Sequence, residues 1–256
     1  GEDIISMSTG EPDFDTVSIA AEAGIEAIRT GRTRYTSGDG TPELKQAIQA
    51  KFLRDNDLIY DLNQISVATG GKQVIYNALA ATLNPGDEVI IPAPYWVSYP
   101  AMVAMCGGTP KLIHCHANNN FALDADALER AITSQTKWVL LNSPNNPSGA
   151  VMSADNLLAI AEVLRRHPHV HILTDDIYEH LLYKSEPFVT IAQVARDLYD
   201  RTLTVNGMSK GYAMTGWRIG YAGGRPDLIA AMAKIQSQTT GNPCTIAQYA
   251  AQQALL

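Results

Sequence analysis

The feature that most constrains this chain is an alternation that runs along nearly its whole length. Short apolar, β-rich runs each end in a cluster of Gly, Pro, Asn, Ser or Asp and give way to a helix-length pattern. Ile65-Ser66-Val67-Ala68 leads into Thr69-Gly70-Gly71, and a helix is predicted over 72–83, stopped by Asn84-Pro85-Gly86-Asp87. Further strands are predicted over 88–91, 111–115, 138–141, 170–173, 203–205 and 219–222. Helices are predicted over 95–106, 123–132, 153–166 and 226–237. Ahead of these, Thr41-Pro42-Glu43 reads as an N-cap, a proline at the first helical position and an early acid. Leu44, Ala47, Ile48 and Phe52 then share one helical face. Strands alternating with crossover helices predict an α/β fold with a mainly parallel central sheet and helices on both faces. In such sheets ligands bind beyond the carboxyl ends of the strands, and that is where most of the polar clusters fall.

Composition narrows the class. A chain of 256 residues can bury a sizeable core, and 46% hydrophobic against 18% charged residues argues against disorder. No apolar run approaches the roughly 18 residues of a membrane span, and no basic-then-apolar start suggests a signal peptide. A net charge of −7 argues against general nucleic-acid binding. Three scattered cysteines, Cys106, Cys115 and Cys244, give no disulfide framework and fit a reducing cytoplasm.

Several segments carry residues capable of chemistry. Lys210 follows a strand on a non-helical stretch, Met208-Ser209-Lys210-Gly211. A lysine amine with a lowered pKa can form a Schiff base with an aldehyde, although a lysine in a turn is usually an exposed charge. Arg218, between Gly216-Trp217 and Ile219-Gly220, could hold an anion such as phosphate through its fork of donors, or could be a solvated strand-edge arginine. Gly70-Gly71, between strand and helix, allows close backbone approach to an anion. It is not the GxGxxG pattern, so a nicotinamide cofactor has no support.

Asp175-Asp176-Ile177-Tyr178 ends an apolar strand. A carboxylate there can keep a ring nitrogen protonated, and an N-cap aspartate would look the same. In Asn142-Ser143-Pro144-Asn145-Asn146-Pro147 the prolines disfavour helical geometry before them and hold Asn146 extended at the rim, in what also reads as a plain turn. Pro94-Tyr95-Trp96-Val97-Ser98-Tyr99 offers aromatic faces for a flat ligand, or simply core packing. His114 and His116 would share a strand face, but no further ligands at useful spacing accompany them, so no metal is expected.

Taken in order, these segments resemble the class I aminotransferases, pyridoxal-phosphate enzymes of fold type I, and among them the bacterial aspartate aminotransferases. The match is carried by Gly10-Glu11-Pro12-Asp13-Phe14, Tyr35-Thr36, Gly70-Gly71-Lys72-Gln73 and Pro94-Tyr95-Trp96-Val97-Ser98-Tyr99. It continues through Ser143-Pro144-Asn145-Asn146-Pro147, Asp175-Asp176-Ile177-Tyr178, Ser209-Lys210 and Gly216-Trp217-Arg218-Ile219-Gly220.

The resemblance implies that Lys210 is the Schiff-base lysine and proton shuttle, that Asp175 pairs with the pyridine nitrogen, and that Tyr178 and Asn146 hydrogen-bond the ring's 3-oxygen. It implies that Trp96 stacks on the ring, that the Gly71 and Lys72 backbone, Ser209 and Arg218 hold the phosphate, and that Tyr35 reaches the phosphate of a neighbouring subunit in a homodimer. Gly10, Trp96 and Asn146 would meet the substrate. The expected reaction is transamination between L-aspartate and 2-oxoglutarate in the cytoplasm. The alternatives are an aromatic or prephenate aminotransferase, or a pyridoxal-phosphate lyase or decarboxylase. A non-catalytic sensor domain would bring a basic helix-turn-helix, which this sequence lacks. Residues 1–30 are expected to lead into a cofactor-binding large domain over 31–256. The small domain that carries the arginine for the substrate's α-carboxylate is expected to be absent from this stretch of sequence.

Overall fold

The computed structural model describes residues 10–183 and 187–256; the first nine residues of the predicted leading segment lie outside them. Among the described residues one seven-stranded sheet organises the fold. Its strands are β1 (Ile65–Ala68), β2 (Glu88–Ala93), β3 (Thr109–His114), β4 (Thr136–Asn142), β5 (His171–Asp175), β6 (Thr202–Gly207) and β7 (Gly220–Gly223). The spatial order is β1-β7-β6-β5-β4-β2-β3. β7 runs antiparallel to both of its neighbours, and the remaining pairs are parallel. The expected α/β sheet is therefore present, with one reversed strand.

The packing follows the period of two. Along β2, Val89 and Ile91 enter one apolar cluster and Ile90 another. Along β4, Trp138 and Leu140 face the first and Val139 and Leu141 the second. Both faces are buried, as a parallel sheet with helices on each side requires. The first face is covered by α3 (Gly71–Thr82), α4 (Ser98–Met105) and α8 (Pro226–Thr239). The second is covered by α5 (Ala125–Ala131), α6 (Ala154–Arg166) and α7 (Ile191–Val194). A third cluster joins α1 (Ser18–Arg29), α2 (Pro42–Asn56) and α9 (Thr245–Leu255) to β1 and β7.

Local signals explain most helix starts. The Thr41 hydroxyl accepts from the Leu44 N–H, with Pro42 at the first helical position. Asp124 and Ser153 cap α5 and α6 by accepting from Ala127 and Asn156. Two expectations need correction. The predicted helix over 95–106 begins only at Ser98. Starting it at Tyr95 would put Pro100 inside the helix, against the Trp96 carbonyl; from Ser98, Pro100 sits in the first turn, where its missing N–H costs nothing. β3 ends at His114, so His114 and His116 do not share a strand face.

The topology places the site. β1, β2, β4, β5 and β6 all run toward one rim, because β1 and β6 are each antiparallel to the β7 between them. The turns after Ala68, Ala93, Asn142, Asp175 and Gly207, and the segment entering β7, meet there.

Candidate active site

These turns enclose a cleft of about 590 Å³. Its walls include Gly10, Gly71, Lys72, Trp96, Asn146 and Asp175, and also Tyr178, Ser209, Lys210 and Arg218. Every residue singled out for the site is therefore brought to one place, with one exception. Tyr35 is 97% exposed and lies elsewhere on the surface.

One end of the cleft is suited to an anion. α3 begins at Gly71, and Gly70 caps it with φ of +86°, a left-handed conformation that glycine adopts without strain. The first N–H groups of a helix have no partner within the helix, so Gly71 and Lys72 present theirs to the cleft. A side chain on Gly70 would collide with the Arg218 guanidinium, and one on Gly220 would collide with the Gly70–Gly71 backbone. These two glycines let Arg218 and the start of β7 lie directly on the turn. Arg218 itself holds φ of +58° just before β7, not within it. Its Nη1 donates to the Thr215 carbonyl at 2.8 Å and lies 3.4 Å from the Ser209 hydroxyl. An arginine, a hydroxyl and free backbone N–H groups form a donor set for a dianion.

The other end is suited to a cation. Asp175 is buried at the end of β5 and accepts from the Tyr99 hydroxyl at 2.7 Å and more weakly from the Ile177 N–H. Burial pushes its carboxyl up to about 6, against the pull of those two donors, and no cation among the described residues lowers it. No helix follows it: residues 177–180 form a turn, so the N-cap alternative falls away. Asp176 points into the core instead, accepts from the Thr174 hydroxyl at 2.6 Å, and is pushed up by burial to about 7.

Between the two ends lies the Lys210 amine, which donates to the Gly10 carbonyl and sits 5.8 Å from the centre of the Tyr178 ring. Burial and then the Arg218 charge lower its pKa, while Glu11 opposes them. That shift increases the fraction of amine with a free lone pair at neutral pH. Burial and the Asp175 charge raise the Tyr178 hydroxyl, against the Asn146 amide, so Tyr178 remains a donor at neutral pH. Asn146 lies in a turn, and its N–H is held by the Asn142 side-chain oxygen at 2.8 Å. The Trp96 ring packs edge-on against Tyr99 at 5.3 Å and carries the Lys72 ammonium over its face at 4.9 Å.

Two residues of these segments make contacts the sequence did not assign. Tyr99 both fills the core and donates to Asp175, and Asn142 both fixes Asn146 and donates to the Asp175 carbonyl at 2.8 Å. The strand register would have found Asn142, since it lies opposite Asp175. No local signal pairs Tyr99 with a residue so far along the chain.

The family model for class I and II aminotransferases matches residues 2–256. The chain belongs to this family. A probable aspartate/prephenate aminotransferase of Rickettsia bellii is 58% identical over 255 residues, which is 100% of this chain and 64% of the relative. An aspartate/prephenate aminotransferase of Cereibacter sphaeroides matches at the same identity and coverage. The crystal structure of the aspartate aminotransferase from Rhizobium meliloti superposes with a TM-score of 0.95 at 58% identity, covering 96% of this chain and 62% of that one. The aromatic aminotransferase of Pyrococcus horikoshii superposes with a TM-score of 0.95 at 38% identity, covering 100% of this chain and 68% of that one. The chain thus spans slightly under two thirds of the length of the curated relatives it matches.

Proposed function

We propose that this aminotransferase chain binds pyridoxal 5'-phosphate in the rim cleft and transfers an amino group from L-aspartate to 2-oxoglutarate. The observation that carries the reading is the buried Asp175 carboxyl, which faces the same cleft as a lysine amine of lowered pKa and lacks a cationic partner among the described residues. A ligand with a protonated ring nitrogen would offset the desolvation of that acid. The donor set of the Gly71 and Lys72 N–H groups, Ser209 and Arg218 suits the phosphate of the same ligand. When bound, the cofactor supplies an electron sink that stabilises negative charge on the substrate's α-carbon.

The chain's own groups do the rest. Asp175 would keep the ring nitrogen protonated. Tyr178 and Asn146 would hold the ring's 3-oxygen, and Trp96 would cover the ring face. Lys210 would supply the amine that holds the cofactor, and its free amine would take a proton from the substrate's α-carbon and return it. Gly10 and Asn146 meet the substrate's carboxylate. Tyr35 serves the phosphate of a second subunit, a role its exposure leaves open. Among the described residues no helix is long and apolar enough to cross a membrane.

Prephenate is a second acceptor reading, favoured by the names of the relatives from Rickettsia bellii and Cereibacter sphaeroides. The test is an absorption spectrum of the full-length protein with pyridoxal phosphate, before and after L-aspartate. The expected result is a band of the bound aldehyde form that gives way to that of the amine form and returns with 2-oxoglutarate. A return with prephenate alone supports the second acceptor. Release of ammonia or carbon dioxide without the amine form overturns transfer in favour of elimination or decarboxylation.

A further inference from the structure

A buried polar network outside the cleft connects two of the segments that form it. Lys51 on α2 has no exposed side-chain surface, and its ammonium pairs with Glu179, the residue after Tyr178. It also donates to the Asn56 side-chain oxygen at 2.7 Å. The Glu179 carboxylate accepts from Asn56 Nδ2 and from Asn206 Nδ2, each at 2.8 Å. The Asn206 oxygen accepts from the Gly207 N–H at 2.7 Å. Asp55 and His180 approach the same carboxylate, but Lys51 already supplies its cation. Removing two charges from water is costly, and well-packed apolar replacements of such pairs often fold as well or better. Stability therefore gives no reason for an ion pair at this position.

Its place in the sheet gives one. The β5–β6 ladder ends with Asp175 opposite Val205, closed by the Asp176 N–H donating to the Val205 carbonyl at 2.9 Å. Beyond that point the two chains separate, one to Tyr178 and the other to Ser209 and Lys210. The Glu179–Asn206 hydrogen bond ties them together again. Asn206 also lies opposite Tyr221 on β7, and Gly207 lies opposite Gly220, next to the segment that holds Arg218.

We propose that Glu179 and Asn206 form a positioning strut, anchored by Lys51 and Asn56, that sets the Lys210 amine against Tyr178 and Arg218. The strut acts through geometry and not through the Glu179 charge, since the groups that perturb Lys210 are Arg218 and Glu11. The consequence for catalysis rests on the reading of Lys210 as the reactive amine, but the strut itself does not.

The experiment uses the full-length, cofactor-free protein. Lys210 is acetylated across a pH series and its labelling is read by mass spectrometry against the exposed Lys234. Asn206→Ala removes the strut and leaves the ion pair. It is expected to raise the Lys210 labelling midpoint toward that of an ordinary lysine, as read against Lys234, with native circular dichroism. Lys51→Met with Glu179→Gln keeps a carbonyl acceptor for Asn206 and is expected to leave the midpoint in place. An unchanged midpoint in a folded Asn206→Ala protein overturns the proposal, and so does a shifted midpoint in the neutral pair. If Asn206→Ala does not fold, Lys51→Met with Glu179→Leu removes the strut with apolar replacements, and the same rise or its absence decides. A Lys210 that labels as expected yet never attaches pyridoxal phosphate would sink the proposed function and leave the strut standing.

Discussion

Replacing Asp175 by asparagine tests the electrostatics of the site without a substrate. In the folded, cofactor-free chain burial holds this carboxyl at about 6, against an ordinary value of 3.8. The folded protein therefore binds this proton more tightly than the unfolded chain does. The resulting stability is fully present below about pH 4, declines as the pH rises through about 6, and is flat above that. A gap of about two pKa units corresponds to about 3 kcal/mol, of which about half has been lost by about pH 5. Asparagine keeps the shape and does not titrate. Urea unfolding of both cofactor-free proteins at about pH 5 and about pH 7.5 should show Asp175→Asn gaining about 1–2 kcal/mol on the wild type between the two. Asp176, also raised by burial, titrates in both proteins and largely cancels from that difference. Saturating pyridoxal phosphate should then stabilise the wild type more than the variant, because only the carboxylate can pair with a protonated ring nitrogen. A relative stability that stays constant with pH, or moves the other way, would refute the claim that Asp175 is an uncompensated buried acid.

The remaining predictions concern the amine and the anion end. Lys210→Ala should abolish the borohydride-fixed adduct with pyridoxal phosphate, read as the loss of a mass shift; an adduct persisting on another lysine would sink the assignment. Arg218→Ala should weaken pyridoxal-phosphate binding roughly 10- to 100-fold, the worth of a charge-assisted hydrogen bond to phosphate, as measured by fluorescence titration. Gly70→Ala should combine a left-handed backbone strain with a collision against Arg218, lowering both phosphate affinity and stability by more than about 1 kcal/mol; a thermal midpoint equal to wild type would show that the turn can relax.

The parts of the fold legible in the sequence are those governed by period and local chemistry. Strands buried on both faces read as apolar runs, and Thr41, with Pro42 behind it, marked the start of α2 by capping chemistry alone. α1 carried no such mark: Val17 stands at its N-cap and offers no side-chain acceptor, so the segment read as a lead-in. The shortened α4 was legible in principle, because Pro100 forbids a start at Tyr95. Arg218 was found by its company and placed ahead of the strand, but nothing in its neighbours announces its left-handed conformation.

The pair Asp175 and Asp176 shows where sequence reasoning stops and why. Both are acids at a strand's end, both are buried, and both are pushed up by desolvation. What separates them is the alternation of the sheet. Asp175 is the last residue of β5, set opposite Asn142 on one side and Val205 on the other, so its side chain enters the cleft and meets Tyr99. Asp176 follows on the opposite face, where Thr174 is its donor and its second oxygen has no partner among the described residues. A shift of one position in register would exchange their surroundings. That register is fixed by the apolar residues of β4 and β5 in the core, so the core determines which acid reaches the cleft.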